Sequence, residues 1–72
     1  MTRKHRYNVT APDGKERILI ATSAPNALRT LCRLRNWCLR EVRDTDNGWA
    51  AGEVYSRQSG EHVGTAESCR VA

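Results

Sequence analysis

The chain has 72 residues, 39% of them hydrophobic, with two Trp, two Tyr and no Phe; it holds one domain with one small core, and a large enclosed substrate cavity is excluded. Twelve basic residues against eight acidic ones give a net charge of +4, and most of the basic residues are Arg, whose planar fork of donors suits phosphates and carboxylates and points to an anionic partner. Cys32, Cys38 and Cys69 are odd in number and form no C-x-x-C pair, which excludes an even disulfide framework and indicates a reducing cytosol with the thiols as small apolar fillers.

The start MTRKHR is basic, and residues 1–4 read as an arm whose charges are Arg3 and Lys4. No apolar run follows it, as a signal peptide requires, and no stretch reaches the roughly 20 apolar residues of a membrane span. The expectation is a cytoplasmic protein of a bacterial host cell, with no membrane partner. From His5 the chain alternates, with Tyr7, Val9 and Ala11 on one side and Arg6, Asn8 and Thr10 on the other, the period of a strand with one buried face. Pro12, Asp13 and Gly14 form a turn. In RILIAT the residues Ile18, Leu19, Ile20 and Ala21 are consecutive, which predicts a central strand covered on part of both faces and paired with the first as a hairpin.

Ser23 is a natural N-cap, and Pro25 falls in the first helical turn, where its missing N–H is not needed. The spacing predicts a helix from about Ala24 to Arg35. At about 100° per residue, Ala24, Ala27, Leu28, Leu31, Cys32 and Leu34 share one arc, and Asn26, Arg29, Thr30 and Arg33 share the other. Leu28, Leu31 and Ile20 are expected to be buried together. Arg35 projects into the apolar arc, which marks the helix end or lays its stem along the core, and Asn36 suits a left-handed C-terminal conformation. Leu39, Glu41 and Arg43 then alternate with Arg40, Val42 and Asp44 in a third strand. DTDNG at Asp44 to Gly48 is a hairpin signal, Trp49 to Tyr55 follows as a fourth strand with Gly52 marking a bulge, and RQSGE at Arg57 to Glu61 is a further turn. Residues 62–72 read as a weak, glycine-containing final strand or tail. The fold class is α+β: one antiparallel sheet of three to five strands with a helix on one face, ordered ββαβββ or ββαββ.

Sites of chemistry are sparse. Cys32, Cys38, Cys69, His5 and His62 lack the spacing of a tetrahedral zinc site, and Cys69 with His62 has no third group to orient it. No G-x-G-x-x-G or Walker pattern occurs. The expectation is a non-enzymatic protein with no metal and no cofactor. The remaining feature is a basic surface: Arg29 and Arg33 one helical turn apart, Arg40 soon after, and Arg3, Lys4 and Arg6 in and beside the arm. A solvated face is the plainer account of the same residues. Trp37, just past the helix, is either a planar anchor for a base or a partner protein, or a lid over a small core.

The layout from Ile18 to Tyr55 resembles small phage and mobile-element proteins of the ββαββ kind, among them type I-F anti-CRISPR inhibitors. In those proteins a strand leads through a TLSAA-like turn into a helix, and two strands joined by an NG-type turn follow. The matching residues are Ala21-Thr22-Ser23-Ala24 and Asp46-Asn47-Gly48. The resemblance implies a non-enzymatic inhibitor that binds a CRISPR surveillance complex and interferes with its DNA contacts, its partner a protein or nucleoprotein complex with an acidic surface. Two other readings stand beside it: a free-standing DNA- or RNA-binding protein with its Arg face on phosphates, and a homodimeric interaction module using an exposed strand edge.

Overall fold

A computed structural model describes residues 3–45 and 47–71. Its elements are β1 (His5–Thr10), β2 (Glu16–Ala21), α1 (Ala24–Leu34), β3 (Trp37–Thr45), β4 (Trp49–Ser56) and β5 (His62–Arg70). The five strands form a single antiparallel sheet in the order β2-β1-β5-β4-β3. The helix joins one edge of that sheet to the other and packs across all five strands. This is the α+β class and the ββαβββ order expected.

Local chemistry explains the punctuation. Ala11 N–H donates to Lys15 C=O at 2.8 Å and Gly14 N–H to Ala11 C=O at 2.9 Å, with Gly14 at φ 88°; this is a three-residue hairpin loop closed by a left-handed residue. Asp13 Oδ1 accepts from Lys15 N–H at 3.0 Å. Ser23 Oγ caps α1 by accepting from Asn26 N–H at 3.3 Å, and Pro25 occupies the first turn. Asn36 ends the helix at φ 57°. In the next hairpin Asp46 lies outside the described residues, and Gly48 C=O accepts from Arg70 N–H at 2.8 Å.

One face of the sheet carries the core. Leu28, Leu31, Ala27 and Cys32 of α1 pack on Tyr7, Val9, Ala50, Val54 and Ala66, with Leu19, Trp37 and Leu39 at the perimeter. The β1 alternation is as expected, with Tyr7 and Val9 buried. Strand β2 is not central. It is an edge, and only Leu19 and Ala21 turn toward the helix; Ile18 is 53% exposed and Ile20 66%. Ile20 therefore does not join Leu28 and Leu31: a single helix covers only one face, so the alternation of side chains sends the two isoleucines to the other. Leu34 is 62% exposed, because the buried arc of α1 centres nearer Pro25 and Cys32 and leaves it at the margin. Arg35 caps α1 rather than extending it, and its head reaches Asp13 at 3.3 Å. Of the three thiols, Cys32 alone is buried; Cys38 is half-buried and Cys69 exposed, so the filler role fits only Cys32.

Strand β5 is the largest departure. The residues that make it weak by propensity place it between β1 and β4, the middle of the sheet. Ala66 and Ser68 turn their small side chains into the buried side carrying α1, and at Gly64 an added Cβ would lie 2.8 Å from Pro12 Cβ of the first loop. The bulge suggested by Gly52 is present opposite it: Arg40 pairs with Glu53 and Arg43 with Ala51, so Glu41 and Val42 of β3 face one residue of β4. A Cβ on Gly52 would lie 2.7 Å from Leu39 Cδ1, so its absence lets Leu39 lie flat on β4.

Candidate anion-binding groove

Between the outer side of α1 and the β3 edge runs an open groove of ≈ 520 Å³. Its positive groups come from three elements. Arg29 and Arg33 project from the polar arc of α1 and Arg57 from the β4–β5 turn, Arg40 borders the groove at the β3 edge with its guanidinium toward Tyr55, and Trp37, Leu39 and Cys32 are among the apolar lining. Arg29 is held in place: its Nη1 donates to Asn26 Oδ1 at 2.7 Å, and Asn26 Nδ2 in turn donates to Thr22 Oγ1 at 2.6 Å. Arg57 is brought beside the helix end by its own N–H, which donates to Asn36 C=O at 3.3 Å. Left-handed Asn36 aims that carbonyl outward, so the helix terminus and the groove are built by the same residue.

None of these four arginines is in an ion pair among the described residues, and no carboxylate is among the described residues lining the groove. Arg35, the remaining arginine near the helix end, is occupied: it pairs with Asp13, and its guanidinium carbon lies 4.9 Å from the Trp37 ring centre. Trp37 is half-buried and packs on the core. It is a lid over the small core and a wall of the groove at once, with Arg35 over its ring. Burial, and secondarily the neighbouring Cys38, pushes the Cys32 thiol up to about 11, so it is a neutral, poorly nucleophilic group at pH 7.

Four of the sequence-derived candidates, Arg29, Arg33, Trp37 and Arg40, converge here. Arg3, Lys4 and Arg6 do not. Arg3 and Lys4 precede β1, and Arg6 is exposed on the open sheet face opposite Ile20. Strand β1 is three strand spacings from β3, about 14 Å. The rest of the arm, residues 1 and 2, lies outside the described residues. Arg57 is the groove residue that sequence reasoning missed: it sits in a turn, and the β3–β4 register, which pairs Trp37 with Ser56, sets it opposite Asn36 at the helix end.

A second constellation lies on the open face. Across the β4–β5 hairpin, His62 Nε2 donates to Glu53 Oε1 at 2.7 Å and Thr65 Oγ1 to Glu53 Oε2 at 3.0 Å. The Tyr55 and His62 rings are 5.1 Å apart, and Arg40 approaches Tyr55 at 5.9 Å. These hydrogen bonds, His62 first and Thr65 next, hold the Glu53 carboxyl below its usual range. The spacing around the RQSGE turn carried that signal, since pairing Glu53 with Thr65 follows from folding the hairpin about it.

Among the described residues no three His, Cys, Asp or Glu side chains gather as metal ligands, and no helix is long and apolar enough to cross a membrane. No protein-family model matches the chain, and comparison with curated proteins and with solved structures returns no match.

Proposed function

We propose that this chain is a non-enzymatic binding protein whose arginine groove receives the phosphate backbone of a nucleic acid. What supports the reading is one observation: four arginines from α1, β3 and the β4–β5 turn line a single groove, without an ion pair among the described residues. Like charges one helical turn apart, as Arg29 and Arg33 are, disfavour an isolated helix by a few tenths of a kcal/mol. A phosphate between them removes that cost, and the guanidinium fork matches its oxygens. The resemblance to type I-F anti-CRISPR inhibitors gives the narrower form of the proposal, in which the nucleic acid belongs to a CRISPR surveillance complex and the protein interferes with its DNA contacts.

The test is binding of fluorescein-labelled DNA and of a purified type I-F surveillance complex by wild type and by the Arg29→Glu/Arg33→Glu double variant. Exposed charge changes alter stability by less than about 0.5 kcal/mol, so the variant melts like wild type. Its affinity falls, and the slope of log affinity against log salt becomes shallower by roughly 2, one for each phosphate contact removed. Unchanged binding by the folded variant removes the groove from consideration. DNA binding without capture of the complex favours the free-standing nucleic-acid reading over the inhibitor.

A further inference from the structure

The two edges of the sheet are unlike. Strand β3 is bent by the bulge at Glu41 and Val42, holds Glu41 at φ 53°, and carries Arg40 and Arg43 on either side of the bend. Bulges and charges of this kind keep other strands from adding to an edge. Strand β2 has neither bulge nor proline nor left-handed residue, and its sequence ERILIA ends in four apolar residues, two of them the exposed Ile18 and Ile20.

The backbone shows which groups that edge offers. Ala11 donates to Lys15 across the loop, and the same register continues through Val9↔Arg17, Tyr7↔Leu19 and His5↔Ala21. Hydrogen-bonded and non-hydrogen-bonded pairs alternate along an antiparallel ladder. Arg17, Leu19 and Ala21 therefore turn their N–H and C=O groups toward β1, and Glu16, Ile18 and Ile20 turn theirs out of the sheet.

An incoming strand has to keep its core-side residues on the core side, so only registers two residues apart are open to it. A second copy of β2 has one such register that covers both isoleucines. Ile18 pairs with Ile20 of the partner subunit and the reverse, both as hydrogen-bonded pairs, and Leu19 meets Leu19 of the partner subunit on the two-fold axis. A shift one way sets Ile20 against Glu16 of the partner subunit, and a shift the other way sets Ile18 against Thr22 of the partner subunit. In the favoured register Glu16 faces a threonine and Arg17 an alanine. No like charges oppose, although each chain carries +4, and the arginine groove lies at the far edge.

We propose that the chain forms a two-fold symmetric dimer by antiparallel pairing of β2 with β2, giving one continuous ten-stranded sheet. The contact is isologous and uses up both unguarded edges, so growth stops at two copies. The two grooves end up at the outer rims, nine strand spacings or about 43 Å apart.

Light scattering after size exclusion, over rising protein concentration, measures the mass. It climbs from the 8.1 kDa of one chain toward twice that value, and the amide hydrogens of Ile18 and Ile20 exchange more slowly as it does. The exposed-site variant Ile20→Lys stays at the mass of one chain with an unchanged circular dichroism spectrum. A single-chain mass with fast, concentration-independent exchange at both amides of the wild-type protein overturns the proposal, and so does a dimer that persists in folded Ile20→Lys. The exchange measurement needs no variant, so misfolding of Ile20→Lys leaves the proposal testable.

Discussion

Ser68 is fully buried on the core side of β5, between Val9 of β1 and Ala50 of β4, and its hydroxyl has no hydrogen-bond partner. A buried donor without a partner forfeits its hydration for nothing. Ser68→Ala keeps the small volume that α1 requires and removes the orphan, so thermal melting should show a gain of about 1 kcal/mol; a lower melting temperature would mean the hydroxyl is bonded in solution. Glu53 is one residue through which acid acts on the sheet. Its folded-state carboxyl titrates below the ordinary value of 4.5, because His62 and Thr65 bond its charged form. Its contribution is thus complete above that ordinary value and is lost as pH falls through the lower folded-state value. The partly exposed site keeps the effect small, but the sign is fixed: between pH 5 and 3 wild type loses stability faster than Glu53→Gln. Parallel acid titrations of the two proteins would refute this assignment.

Elements differ in how openly the sequence declared them. Helix α1 was legible almost to the residue because its signals are local: a serine cap, a proline in the first turn and an apolar arc all depend on neighbours within a few positions. Strand β2 was legible as a strand but not as an edge. Consecutive Ile18, Leu19 and Ile20 read the same whether a second layer covers the sheet or not, and burial depends on what the rest of the chain supplies. The difference has a measurable consequence. Leu31→Ala, at a site 1% exposed, should cost about 2–5 kcal/mol, enough to unfold most of a marginal domain. Ile20→Ala, measured in dilute single-chain protein, should stay within about 0.5 kcal/mol. Denaturant melts of the pair decide the placement of β2, and equal losses would contradict it. Strand β5 was the least legible, since Gly64, Ala66 and Glu67 are poor advertisements for a central strand. Its position rewards small side chains beneath a helix, and propensity scales do not see that pressure.

For the molecule as a whole, the sequence declared the sign of the charge but not its distribution. Arg29, Arg33 and Arg40 were legible as neighbours because helix and strand spacing place them. Arg57 joins them through the register of the β3–β4 hairpin, but the separation of Arg6 depends on strand order, which no local pattern encodes. The same order bears on how the chain is made. At the ribosome β1 and β2 emerge first, then α1, then β3 and β4, and the two hairpins belong at opposite sides of the finished sheet. The strand that bonds to both, through β1 on one side and β4 on the other, follows all of these elements in the chain. Until it leaves the exit tunnel, each hairpin has a bare inner edge and the helix spans a gap. Closing the sheet therefore waits for β5, and until that strand inserts between β1 and β4 the two hairpins keep apolar faces open to water.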